Sequence, residues 1–427
     1  MPDRTVAPAL QAPGILALPA ENVRRLTNGV TLHSYYGGDQ PVGMLSVLFR
    51  GGYAEISRAR QGLLSAMLLE GGGSLSPEEV AARLDFNGAV FSPMMMPHFT
   101  GFSVAMLDKR VPEIAGLLSE VLGTPHFPEK ELENTKLTSI SRLELSLKRM
   151  RTLSGNAFSN MILGPEHPLA VQPTPGEIDS TRRADLLEIH SRLYRGGSCH
   201  AFLAQHVSPE SEAAILRFLE SIPCGDGISM DITPFRSCRP RREIIRRESA
   251  LQCSITTGLP AMPRTDPDYL PLRMAVMALG GYFGSRLMRR VREEKGLTYG
   301  IHAGLYGYRA ASYVAIEAEC DNSFVDAVLD ETAREMLLLR TEPPRGDELE
   351  RLRMHMSTDA IKTLDSPASI MSYYQTKVSI GLPDTYFADQ QRVIANLTPD
   401  LIADAATRYL DPAALRISIA GGYSRQE

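Results

Sequence analysis

Tryptophan is absent from these 427 residues, and cysteine is scarce. The five cysteines, Cys199, Cys224, Cys238, Cys253 and Cys320, are odd in number and form no CxxC pair. That argues against a disulfide framework and a cysteine zinc site, and suits free thiols in a reducing compartment. The expected location is cytoplasmic, with the periplasm as the alternative if a signal was removed. Histidine is scattered: none of the nine pairs with another at i, i+4, and neither HxxEH nor HExxH occurs anywhere. No stretch approaches the roughly 18 apolar residues of a membrane span. Basic residues are in slight deficit, giving a net charge of −5, which argues against a nucleic-acid binder. The N-terminus does not read as a secretory signal, because Pro8, Pro13 and Pro19 interrupt its apolar stretch. It reads as an extended arm leading to Asn28-Gly29.

What remains is an ordinary globular composition, 43% hydrophobic and 22% charged, at a length that accommodates roughly two or three domains. The run Met44–Phe49 reads as a buried strand. Ala59–Glu70 reads as a helix ended by Gly71-Gly72-Gly73. Ser76-Pro77-Glu78-Glu79 is a helix start with Ser at the N-cap, Pro at N1 and Glu at N3. That helix ends before Gly88. A strand pair, Ala89–Met95 and Phe99–Leu107, precedes two helices, one with an apolar stripe from Val111 to Val121 and one over about Glu129–Arg149.

The order then recurs. A strand at Gln252–Thr257 leads to a helix at Tyr269–Leu279, a second helix after Ser285, and strands at Leu297–Leu305 and Ser312–Cys320. Helices near Ser323–Arg340 and Gly346–Lys362 follow. Gly280 and Gly296 stand 208 residues after Gly72 and Gly88, and Glu348-Leu349 stands 217 after Glu131-Leu132. An offset near half the chain length indicates an internal duplication, with too few copies for a solenoid. The expected fold is therefore α+β, in two similar domains, each a mainly antiparallel sheet with helices packed on it. The bounds are 1–221 and 250–427, joined by a Pro- and Gly-rich linker over 222–249. The arginine run in that linker reads as a solvated face rather than a patch for acidic partners.

One stretch of the second half stands out: Leu279–Tyr308, LGGYFGSRLMRRVREEKGLTYGIHAGLYGY. Ser285 is placed to cap its second helix and Gly296 to end it in a left-handed conformation. Arg292 then falls on the last helical turn and Tyr299 on the following strand. A sharp turn between them would bring guanidinium and phenol together. Alone, such a pair is ordinarily a surface charge and a packing residue. The positions 208 residues earlier are apolar, Leu84 and Phe91, so only one half carries the polar pair.

This stretch resembles a GG-x-F-x-SRL…REK-GL-x-Y segment in the second half of insulinase–pitrilysin zinc metallopeptidases, the family that includes the mitochondrial processing peptidases. Further matches are Asn28-Gly29, Gly62-Leu63, His167-Pro168-Leu169, Thr181-Arg182 with Asp185-Leu186, His190 and Tyr194, and, in the second half, Gly258-Leu259-Pro260 and Asp266–Leu272. The resemblance covers most of the chain. Active members carry HxxEH on the first long helix, where two histidines at i and i+4 hold Zn²⁺ and the glutamate activates its water. Here Ser65-Ala66-Met67-Leu68-Leu69 occupies that place. Glu70 is the only carboxylate nearby, and Glu144, near the third-ligand position, reads as an ordinary surface glutamate. The resemblance thus implies a non-catalytic subunit of a two-subunit peptidase. Zinc would sit in a homologous HxxEH-bearing partner, with none in this chain, and the pair would act on an unfolded peptide. Arg292 and Tyr299 would face the partner's site across a chamber. A structural subunit without proteolytic duty and a peptide-binding module acting alone are the alternatives.

Overall fold

A computed structural model describes residues 14–204, 207–236, 241–310 and 312–424. The arm over residues 1–13, Cys238 and Pro240 lie outside the described residues. The first half forms a sheet from β1 (Asn22–Arg25), β2 (Thr31–Tyr35), β3 (Val42–Arg50), β4 (Val90–Met95), β5 (Phe99–Leu107) and β6 (Cys199–Ala204). The second forms one from β7 (Arg242–Arg246), β8 (Gln252–Ala261), β9 (Gly300–Gly307), β10 (Ser312–Asp321) and β11 (Arg416–Gly421). Their orders are β1-β2-β6-β3-β5-β4 and β7-β11-β8-β10-β9. With β1 set aside, the two sheets share strand order and direction. Each has one parallel pair, β2 with β6 and β7 with β11, and is otherwise antiparallel. β7 arises within the 222–249 segment, so part of that segment is woven into the second sheet, while Ile228 is buried in the first core.

The local punctuation follows from short-range chemistry. Ser76 Oγ accepts from the Glu79 amide at 3.3 Å, and Glu79 Oε2 accepts from the Ser76 amide at 2.8 Å, completing a capping box. Gly88 and Gly296 both end helices at φ +61°, a left-handed conformation in which a Cβ is strained.

The helix begun at Glu129 ends at Ser146 rather than continuing to Arg149, and a further helix, Met150–Leu163, follows a short turn. Its role explains why periodicity alone did not single it out. It belongs by sequence to the first half but packs on the outer face of the second sheet. Phe158, Ile162 and Leu163 bury against Ala315 there. Ser154 Oγ lies 3.2 Å from Ser254 Oγ and 2.8 Å from Thr256 Oγ1, so buried hydroxyls satisfy one another. Gly258 makes room for this helix: a Cβ there would lie 1.8 Å from the Val314 carbonyl and 2.9 Å from the Phe158 ring.

The second half returns the arrangement. Its helix Pro367–Ile380 begins 217 residues after Met150 and packs on the first sheet, where Ile370, Met371 and Tyr374 bury against Leu48, Phe99 and Phe202. Polar contacts fasten it. Tyr374 donates to the Pro19 carbonyl at 2.7 Å, and Arg309 Nη2 donates to the Val378 carbonyl at 2.8 Å, near the helix C-terminus. Each sheet is therefore apolar on both faces. In β3, Leu45, Val47 and Phe49 enter the first core while Leu48 meets the exchanged helix, which is why Met44–Phe49 is apolar at all but Ser46.

His190, on the helix Arg183–Leu193, is an aromatic filler in the first core. It stacks on Tyr194 at 5.0 Å and meets Phe127 edge-on at 6.0 Å. Its Nε2 has no hydrogen-bond partner. Burial disfavours the imidazolium and holds its pKa down at about 4, from 6.5. Between those values the unfolded chain binds a proton that the folded chain refuses. The stabilisation is fully present above pH 6.5 and is lost as pH falls towards 4. Denaturant titrations at pH 7 and pH 4.5 should differ by a few kcal/mol from this residue. His190→Phe should flatten that dependence, and an unchanged slope in the variant would remove His190 from the account.

Candidate functional site

The helix Tyr269–Val276 widens into a π-turn at Met277–Gly281, and the next helix is π-wound from Met288 to Glu294. π-turns frequently mark functional sites. Ser285 caps this helix only through its carbonyl, which accepts from the Arg289 amide at 3.1 Å; its hydroxyl is buried without a partner. Ion pairs brace the helix. Arg286, itself buried, reaches Glu348 at 2.7 Å and donates to the Glu342 carbonyl at 2.6 Å. Lys295 pairs with Glu331 on the neighbouring helix Val325–Thr341.

Arg292 lies on the last helical turn, as the spacing implies. Tyr299 does not lie on a strand: β9 begins one residue later, at Gly300. Thr298 is the cause. Its hydroxyl sits 2.6 Å from the Glu319 carbonyl and accepts from the Gly300 amide at 3.1 Å, occupying groups that would otherwise extend the ladder. The chain bends there and Tyr299 is thrown outward, 86% exposed. The two residues do meet, but through the backbone. Arg292 Nε donates to the Tyr299 carbonyl at 2.9 Å, and the guanidinium lies 5.3 Å from the ring centre of Phe283. The phenol is left free to point away from the body of the protein.

Tyr299 lines a cavity of about 530 Å³ with Tyr282, Phe283, Met288, His302 and Glu317. Arg151, from the first half, closes one side and pairs with Glu317 at 2.6 Å, which raises the arginine pKa still further. Phe283 is the aromatic of the GG-x-F-x-SRL segment, whereas neither Thr298 nor Arg151 was singled out by sequence. Arg151 carries no local signal, since its partner lies 166 residues away.

The corresponding region of the first half has a cavity of about 650 Å³ lined by Leu69, Glu70, Glu78, Leu84, Phe91 and Glu131. Leu84 is buried there and Phe91 stacks on Phe102 at 5.0 Å, so the apolar counterparts of Arg292 and Tyr299 serve packing. Burial, with Glu131 and Glu78 nearby, raises the Glu70 pKa. The residues in the HxxEH position do not fit a zinc ion. Ser65 is buried with an unpartnered hydroxyl, Met67 and Leu68 are core residues, and Glu144 is exposed. Among the described residues no three His, Cys, Asp or Glu side chains converge on one point. His167, of the family-matching His167-Pro168-Leu169, is hydrogen-bonded to the Thr233 carbonyl at 2.9 Å and accepts from the Leu169 amide at 3.1 Å.

Residues 180–356 match the family described as the Peptidase M16 inactive domain. The chain is similar to an uncharacterized zinc protease of Streptomyces coelicolor, 21% identical over 354 residues, covering 79% of this chain and 75% of that protein. It is also similar to the non-peptidase homolog YmxG of Helicobacter pylori, 22% identical over 272 residues, covering 61% and 62%. The crystal structure of a peptidase M16 inactive domain from Pseudomonas fluorescens shares the fold, with a TM-score of 0.86 and 24% identity, over 95% of this chain and 99% of that one.

Proposed function

We propose, from the match of residues 180–356 to the Peptidase M16 inactive domain and from the fold shared with such a domain, that this chain is the non-catalytic subunit of a two-subunit zinc metallopeptidase. The partner is an HxxEH-bearing homologue that supplies the metal. This chain closes the peptide chamber and presents Arg292 and Tyr299 to the partner's site. The observation that carries the reading is the outward-facing Tyr299 phenol, buttressed through its own carbonyl by Arg292 at the mouth of a cavity. A tyrosine that served only packing would be buried, and a surface arginine would not be spent on holding its neighbour's backbone.

The chemistry asked of the pair is modest and suits them. A guanidinium never deprotonates in a protein and a phenol keeps its proton at neutral pH, so both remain hydrogen-bond donors. Donors fixed before reaction, aimed at the oxygen that gains charge during peptide hydrolysis, stabilise the transition state. The first-helix positions where zinc ligands would stand hold apolar or hydroxyl side chains and leave the exposed Glu144 without companion ligands, so no hydrolytic step is proposed through the first-half cavity.

Affinity purification from the native cell tests the assembly: an HxxEH-containing protein of similar size should accompany the chain in stoichiometric amount. Recovery of the chain alone, with no such protein, would sink the proposal. The isolated chain should also bind no stoichiometric zinc and cleave no peptide. Metal analysis finding one tightly held ion per chain, together with chelator-sensitive cleavage, would overturn the non-catalytic assignment.

A further inference from the structure

Two of the free cysteines face each other in the second sheet. Cys253 and Cys320 are direct partners in the antiparallel register of β8 and β10, and both side chains enter the same core. Directly opposed residues in such a ladder have Cα atoms about 4.5–5.5 Å apart. That separation falls inside the roughly 4.4–6.8 Å range that a disulfide spans. The register makes the coincidence specific. A shift of one residue in either strand would place one thiol on the opposite face.

Their position along the ladder matters as much as their pairing. Only Gln252 and Asp321 lie beyond them at this end. The C-terminal end of β11 covers the pair: a Cβ on Gly421 would come within 2.5 Å of Cys253 Sγ, which itself lies 3.0 Å from Asn322 Oδ1. At rest both thiols are buried, at 1% and 2% exposure. Burial raises both pKa values, that of Cys320 to about 12, so the closed sheet holds them as unreactive thiols. Fraying of a sheet end is among the cheaper local openings a protein makes. An opening here exposes both sulfurs at once.

We propose that Cys253 and Cys320 form a cross-strand dithiol that small-molecule disulfides oxidise to an intrachain disulfide. One cysteine thiolate attacks a sulfur of the oxidant, breaking its S–S bond and releasing one thiol. The second thiolate then attacks the protein sulfur of that mixed disulfide and releases the other. In sum the protein loses two protons and two electrons, and one molecule of disulfide oxidant becomes two thiols. The closed loop runs from residue 253 to residue 320 and contains the whole Arg292–Tyr299 segment. Oxidation would therefore staple the half of the chain that carries the exposed tyrosine. This inference stands on register and burial, independently of the proposed subunit role.

The test equilibrates the full-length chain in reduced and oxidised glutathione at graded ratios. It then blocks free thiols by alkylation, digests without reduction and maps linkages by mass spectrometry. The expected result is a peptide joining Cys253 to Cys320, with the ratio of linked to free form changing tenfold per about 30 mV of buffer potential. The oxidised chain should melt higher than the reduced one, and Cys320→Ala should abolish both the linkage and the difference. The wild-type linkage map decides the matter even if the variant folds poorly. Three outcomes overturn the proposal: both thiols remaining unlinked across the series, each carrying its own glutathione, or linkage only to Cys199, Cys224 or Cys238.

Discussion

Tyr299→Phe and Arg292→Lys should each slow peptide turnover by roughly a hundredfold in the reconstituted two-subunit complex, the cost of about 3 kcal/mol expected for losing one donor to a developing oxyanion. The two changes act differently. Tyr299→Phe deletes only a hydroxyl on a side chain that is 86% exposed. Arg292→Lys keeps the charge but loses the planar fork, and with it the Nε–H that holds the Tyr299 carbonyl. If the arginine also positions the tyrosine, the double variant should lose less than the product of the single losses. Melting temperature and assembly should hold nearly constant in all three, because neither side chain belongs to a hydrophobic core. Steady-state kinetics alongside thermal melts separate these outcomes. Normal turnover in the double variant would leave a structural subunit as the better description.

Phe158→Ala should destabilise the chain by about 3–5 kcal/mol, as truncation of a large buried aromatic does. The residue is 3% exposed, sits edge-on to Tyr313 at 5.8 Å and fills the space that Gly258 leaves open. The location of the damage is the sharper part of the expectation. Phe158 belongs by sequence to the first half but is packed against the second sheet. Calorimetry should therefore show one transition, moved as a whole, with no surviving folded half. Two separate transitions, of which only one shifts, would show that the halves melt independently despite the exchange.

What was legible in the sequence and what was not divides along range. The capping box at Ser76, the left-handed ends at Gly88 and Gly296 and the strand pair Val90–Met95 with Phe99–Leu107 all rest on residues a few positions apart. Their chemistry is written locally. The shared order of the two halves was also readable, because glycines mark helix ends at a constant offset. The helix Met150–Leu163 escaped because its partner surface lies about a hundred residues away, and its small residues, such as Ser154 and Ala157, have meaning only against that surface. The site divides in the same way. Helix, turn and proximity of Arg292 to Tyr299 followed from spacing. The use of the Tyr299 carbonyl rather than the phenol did not, since it depends on Thr298 satisfying Glu319 from the adjoining strand.

The reciprocal exchange of helices also sets a timetable for the chain as it is made. The first sheet has all its strands once Ala204 has left the ribosome, yet the helix that covers its outer face is not complete until Ile380. At ordinary synthesis rates that is on the order of ten to thirty seconds during which Leu48, Phe99 and Phe202 lack the cover of that helix. Over the same interval Met150–Leu163 waits, apolar face bare, for a sheet whose last strand, β11, ends at Gly421. A stall between residues 204 and 380 would leave a fragment with one finished sheet and one uncovered apolar face.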